Sequence, residues 1–178
     1  MENQTASFKK SALNYGIVLG IILALITAIL YVIDIMTLTK WWLGIIMFFI
    51  ALVISIVSVA KSKSLLGGFM SFKEAFTSYF ITIAVGLLIN VIVGILIFVL
   101  IDPESAEFLQ ERIIEISRNM MESFGAPKAE IEKAITKMEG ENSYSLFSQL
   151  KTYVFQLAFY SVFGLLVALI FRKKDPNE

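Results

Sequence analysis

The residues of this chain that could do chemistry are few. Its 178 residues include no His and no Cys. That removes thiol nucleophiles, disulfides, Cys/His metal sites and imidazole acid–base catalysis. Acid–base or two-metal work would need paired carboxylates, and the candidates, Asp102 with Glu104 or Glu74 beside Lys73, stand at surface positions. Acidic clusters can hold calcium, but no D-x-[DN]-x-[DN]-G loop occurs. Gly67-Gly68 could open a phosphate cradle, yet no Gly-rich pattern with a following Lys-Ser/Thr surrounds it, so it reads as a turn. No catalytic, cofactor-binding or metal-binding residue is assigned, no cofactor is implied, and no enzymatic activity is expected.

Two polar features remain. Ser71 and Glu74 spell S-x-x-E, a capping box in which the hydroxyl accepts from the N3 amide while the carboxylate reaches back to the N-cap amide. Asn90 is the strongly polar side chain expected deep inside an apolar run. An amide in hydrocarbon seeks a partner, worth about 0.6–2 kcal/mol across a helix interface. It could contact a substrate or ion. The expectation is an interhelical bond, with Asn14, Thr27, Ser55 or Ser161 as partner.

The elements that must position these residues are membrane helices. The chain is 57% hydrophobic and 17% charged, against about 45–50% and about 25% in soluble domains. Four apolar runs approach the roughly 20 residues that cross a bilayer as helix: 12–33, 41–60, 79–101 and 153–171. The first exceeds a signal-peptide core and lacks a small-x-small cleavage site after it, so a retained anchor is expected. Ala12, Gly16, Gly20, Ala24 and Ala28 recur every fourth residue along it. Such a strip lets another backbone approach closely, the main source of helix association in lipid. Gly86, Asn90 and Gly94 repeat the spacing in the third run, and Gly44, Ala51, Ser55 and Ser58 thin the second. Tyr31, Trp41 and Trp42 suit an interfacial belt. Phe69, Phe72, Phe76 and Phe80 make an aromatic stripe where the third helix approaches the lipid.

Between the third and fourth runs the composition changes. Pro103 suits a first helical turn. Leu109, Ile113, Ile116, Met120 and Phe124 then repeat at amphipathic spacing. Gly125 ends that helix and Pro127 restarts another, with Ile131, Ala134, Ile135 and Met138 on its apolar side. Residues 102–141 hold ten acids against five bases. The reading is one all-α membrane domain, a four-helix bundle with an extramembrane acidic helical hairpin at about 103–141.

Basic residues near span ends mark the cytoplasmic side. Lys9, Lys10, Lys61, Lys63, Lys73, Arg172, Lys173 and Lys174 fall on one side, Lys40 and Lys151 on the other. Both termini are therefore expected in the cytoplasm and the hairpin outside. Zero net charge argues against a nucleic-acid partner.

The G-x-x-x-G first span (Gly16, Gly20), the G-F-M-S-F-K-E-A-F stretch (Gly68–Phe76) and D-P-E (Asp102–Glu104) carry a resemblance. So do Met120-Met121-Glu122 through Ala126-Pro127 and the basic end. Over nearly its whole length the chain resembles an uncharacterised four-span bacterial membrane family, the domain-of-unknown-function family 4199. The resemblance implies a bacterial inner-membrane protein and transfers no catalytic residue. Beside the lipid bilayer, the partners expected are a second copy or another membrane protein. A structural or accessory role is expected, with a small oligomeric transporter or channel as the alternative.

Overall fold

The computed structural model describes residues 2–173, and the side chains from Ala6 onward. Lys174 and the tail after it lie outside the described residues. Six α-helices run α1 Glu2–Ile33, α2 Trp41–Leu65, α3 Phe72–Ile95, α4 Pro103–Ser123, α5 Lys128–Gly140 and α6 Leu146–Phe171. A 3₁₀ turn at Ile35–Thr39 joins α1 to α2, and α3 continues into a wider π-helical turn at Leu96–Ile101. Among the described residues there is no strand, only one bridge between Met70 and Lys173.

Four segments are long and apolar enough to cross a membrane: Ala6–Ile33, Trp41–Leu65, Phe72–Ile101 and Leu146–Phe171. Their outward faces carry Ile21, Val53, Leu88 and Val162, all well exposed. In water such faces would drive aggregation, whereas in lipid they need no cover. The molecule is a helical membrane bundle.

Several helix ends have a local cause. Gly67 and Gly68 take positive φ of 76° and 89°, a region closed to most L-residues, and so turn α2 into α3. Ser71 then caps α3: the Glu74 amide donates to its hydroxyl at 3.2 Å, and its own amide donates to the Glu74 carboxylate at 2.8 Å. Asp102 caps α4 in the same manner, accepting from the Ser105 amide at 3.0 Å. Ser145 accepts from the Ser148 amide and starts α6 well before the apolar run at 153. Where α6 ends, Lys63 donates to the Phe171 carbonyl at 2.9 Å, satisfying one of the open carbonyls of that terminus.

The helix α3 is the centre of the bundle. α1, α2 and α6 all pack against it, and α2 also lies along α1. α1 and α6 have no substantial contact with each other. The main core gathers Leu19, Leu23, Val59, Tyr79, Ile83 and Val167. A second, smaller core of Ile97, Phe98, Ala106 and Leu109 seats α4 on the end of the bundle. The stripe along α4 is covered progressively less away from that seat. Leu109 is buried, Ile113 and Ile116 are half-buried, and Met120 and Phe124 stand exposed. α5 buries Ile131 and Ile135 and packs against α4.

Candidate functional site

The α1–α3 interface brings together most of the small residues singled out by spacing. At Gly16 an added Cβ would stand 2.8 Å from the Cβ of Val85, and at Gly20 2.6 Å from the Cβ of Ile89. Gly86 answers from the other side, where a Cβ would meet the Leu19 side chain at 2.5 Å. Ala24 is buried one turn further along. Asn90 closes this seam: Thr27 donates its hydroxyl to Asn90 Oδ1 at 3.1 Å. Of the four partners entertained for this amide, Thr27 is the one in place, while Asn14 faces outward.

Gly94 does not join that interface. Eight residues of a helix accumulate about 80° beyond two full turns, so Gly94 has rotated away from α1 and towards α6. A Cβ there would stand 3.0 Å from Gln149 Oε1. Ser71 and Glu74 sit at the opposite end of α3, where they cap the helix.

Between Asn90 and Gly94 on the floor and α6 on the far wall lies a cavity of about 310 Å³. Thr27 lines it from α1, and Gln149, Thr152 and Gln156 line it from α6. Phe98, Ile113 and Tyr144 close its hairpin end. No Asp, Glu, Lys or Arg is among its lining residues. Gln149 is oriented by donating its amide to the Tyr144 carbonyl at 3.1 Å, which leaves Oε1 turned towards the cavity floor. Tyr144 packs on Phe98 with ring centroids 5.3 Å apart, and burial pushes its hydroxyl pKa up to about 12. It therefore stays a neutral donor and acceptor across the physiological range.

Asn90 was expected to be the one strongly polar side chain at depth. The helix α6 corrects this. Gln156 lies within the 153–171 run itself, and because α6 starts at Leu146 it also carries Gln149 inside the apolar span Leu146–Phe171. Their spacing with Thr152 places all three on one face, a signal present in the sequence at i, i+3 and i+7.

A second polar seam is internal. The hydroxyls of Ser62 and Ser78 lie 2.8 Å apart. Thr82 Oγ1 lies 2.8 Å from the Ser58 hydroxyl, 3.0 Å from the Ser78 carbonyl and 3.1 Å from the Ala12 carbonyl. One hydroxyl carries one proton, so Thr82 shares it among the Ser58 hydroxyl and the Ser78 and Ala12 carbonyls. All of these residues are buried. They join α2, α3 and α1 and have no opening to a ligand.

At the water-facing edge, Asp102 is held below the usual carboxylate range by the Ser105 hydroxyl and amide, and then by the Tyr31 hydroxyl. Tyr31 thus turns inward, with its ring edge-on to Phe98 at 6.0 Å, while Trp41 and Trp42 remain exposed at the periphery. The aromatic stripe packs on itself: Phe72 stacks on Phe76 and Phe76 on Phe80. Among the described residues, no group of three or more His, Cys, Asp or Glu is placed to hold a metal ion.

No curated protein and no solved structure matches the chain significantly. A family model described as a protein of unknown function, DUF4199, matches residues 14–173. With a match spanning most of its length, this chain of four membrane-length apolar helices belongs to the DUF4199 family of proteins of unknown function.

Proposed function

We propose that this protein is an interaction or accessory protein of the bacterial inner membrane, with both termini cytoplasmic and no catalytic role. One observation carries the reading: the hairpin of α4 and α5 is held firmly, yet part of its apolar surface is left open. Its anchorage is specific. Gln110 donates to the Met138 carbonyl at 2.9 Å and accepts from the Ser143 amide at 3.3 Å, which ties α4 to the segment that follows α5. Arg118 and Glu132 pair across the two helices at 3.7 Å. On this supported frame Phe108, Met120 and Phe124 stay exposed, Phe124 at 84%. Exposed aromatic and Met side chains are the residue types enriched at the centre of a protein contact surface. The partner is a second copy of the chain or another membrane protein with a basic rim.

A photo-crosslinking residue placed at Phe124 in native membranes tests this. A discrete adduct with one membrane protein or with a second copy is the expected result. Absence of any adduct from position 124, with the protein migrating as a monomer, would overturn it.

The neutral cavity favours a second reading, a small oligomeric transporter. It rests on the amides of Asn90, Gln149 and Gln156 at membrane depth, where polar groups often line pathways. Flux of an uncharged solute into liposomes, lost in Asn90→Leu, would support it, and equal flux in both proteins would count against it.

A further inference from the structure

The cavity between α1 and α6 has a geometry that neither the scaffold role nor helix packing requires. A pair of helices that both grip α3 could close on each other, and these do not. They leave a gap beside α3, and the cavity in it has a polar floor. In a membrane bundle, a polar floor exposed to acyl chains costs free energy unless something hydrogen-bonds to it.

The unused hydrogen-bonding capacity defines what would fit. Asn90 uses Oδ1 to accept from Thr27, and its Nδ2 has no protein partner among the described residues. Gln149 uses Nε2 on the Tyr144 carbonyl and keeps Oε1 as a free acceptor. Neither the Gln156 amide nor the Thr152 hydroxyl has a side-chain hydrogen bond among the described residues. The site thus offers both donors and acceptors, arranged around about 310 Å³. It offers no charge. A phosphate would enter without a counter-ion, and an ammonium likewise, and burying an unpaired charge is costly. The volume is at the small end for a ligand pocket, so it holds a headgroup while the rest of the molecule lies outside.

We propose that this cavity binds the uncharged headgroup of a diacylglycerol, its single free hydroxyl and ester carbonyls, entering sideways between α1 and α6 with its acyl chains left in the bilayer. The free hydroxyl donates to Gln149 Oε1. The ester carbonyls accept from Asn90 Nδ2 and the Gln156 amide. The lipid source, rather than a free polyol, follows from the gap between α1 and α6, through which a chain can leave into hydrocarbon.

The test is native mass spectrometry of the full chain released from detergent, titrated with dioctanoylglycerol, with phosphatidylglycerol as a charged lipid and glycerol as a competitor. The wild type should carry one dioctanoylglycerol. Gln156→Leu should weaken that adduct about tenfold, as expected for one or two lost hydrogen bonds. Phosphatidylglycerol adducts should not respond to the substitution. Gln156 makes no side-chain hydrogen bond among the described residues, so its variant is expected to keep the fold; Thr152→Val serves as a second variant of the same wall. An adduct equally strong in wild type, Gln156→Leu and Thr152→Val would overturn the proposal, as would no adduct in the wild type. Displacement by glycerol at equal concentration would also overturn it, because the site would then read a free polyol.

Discussion

Tyr31, near the end of α1, donates its hydroxyl to Asp102 at 2.8 Å across 71 residues of sequence, and so fastens the first helix to the cap of α4. Asp102 accepts from the Ser105 hydroxyl at 2.6 Å as well. These bonds favour its anion and lower its pKa in the folded protein, with Ser105 the larger cause. A carboxylate lowered on folding adds stability that is full above its unfolded pKa and disappears as pH falls through the folded value. Docking of the hairpin should therefore weaken as pH drops below about 4. Tyr31→Phe should move that loss to higher pH, since one stabilising donor is gone, and Asp102→Asn should abolish the dependence. Hydrogen exchange of the first turns of α4, corrected for intrinsic rates, reports it. The same midpoint in wild type and Tyr31→Phe would refute the link.

The glycines of the α1–α3 seam are not equivalent. At Gly16 and Gly20 the obstructing atoms are the Cβ atoms of Val85 and Ile89, which move only with their backbone. At Gly86 the nearest atoms are Cδ2 and Cγ of Leu19, which can rotate. Gly44 has nothing within 4 Å. Gly20→Ala and Gly16→Ala should lose about 1–3 kcal/mol, the usual cost of overpacking. Gly86→Ala should lose less, and Gly44→Ala should be neutral or gain up to about 1 kcal/mol from helix propensity. Thermal unfolding in one detergent ranks them. Similar melting points for Gly20→Ala and Gly44→Ala would contradict the packing described.

This contrast also shows what could be read from sequence. Spans are legible because a bilayer demands about 20 apolar residues in a row, and the Ser71–Glu74 cap is legible because its chemistry closes within four residues. The partner of Tyr31 was not, since nothing local distinguishes an aromatic at an interface from one bonded to a distant carboxylate. The cavity was hidden for a related reason. Gln149 and Thr152 depress hydropathy where α6 begins, which pushes an apolar-run estimate inward to 153. That their face turns towards Asn90 depends on α6 gripping α3 and leaving α1 free, a relation between helices with no period of its own.

The buried hydroxyl seam yields a third expectation. Thr82→Val keeps the shape but removes the hydroxyl that bonds the Ser58 hydroxyl and a backbone carbonyl. Ser55 Oγ in the same region already has no partner. The loss should be about 1 kcal/mol, in the range found for polar pairs within membrane bundles. Ser58→Ala combined with Thr82→Val should cost less than the sum of the two single changes, because the apolar pair leaves no orphan hydroxyl. Additive losses in a double-mutant cycle would show that the two hydroxyls do not interact.

The proposed orientation rests on charge and can be measured directly, since the chain has no Cys of its own. The Lys63–Phe171 bond and the Met70–Lys173 bridge place the Gly67–Gly68 turn and the end of α6 on one side. Four crossings put the start of α1 there too, and the hairpin opposite. Eight bases flank the span ends on the first side, against Lys40 and Lys151 on the second, and the positive-inside rule predicts that the first side is cytoplasmic. Ala6→Cys and Lys128→Cys are both at exposed positions. In intact cells with a permeable outer layer, an impermeant maleimide should label position 128 at once and position 6 only after the inner membrane is opened. The reverse pattern would invert the topology and move the acidic hairpin, with its exposed Phe124, into the cytoplasm.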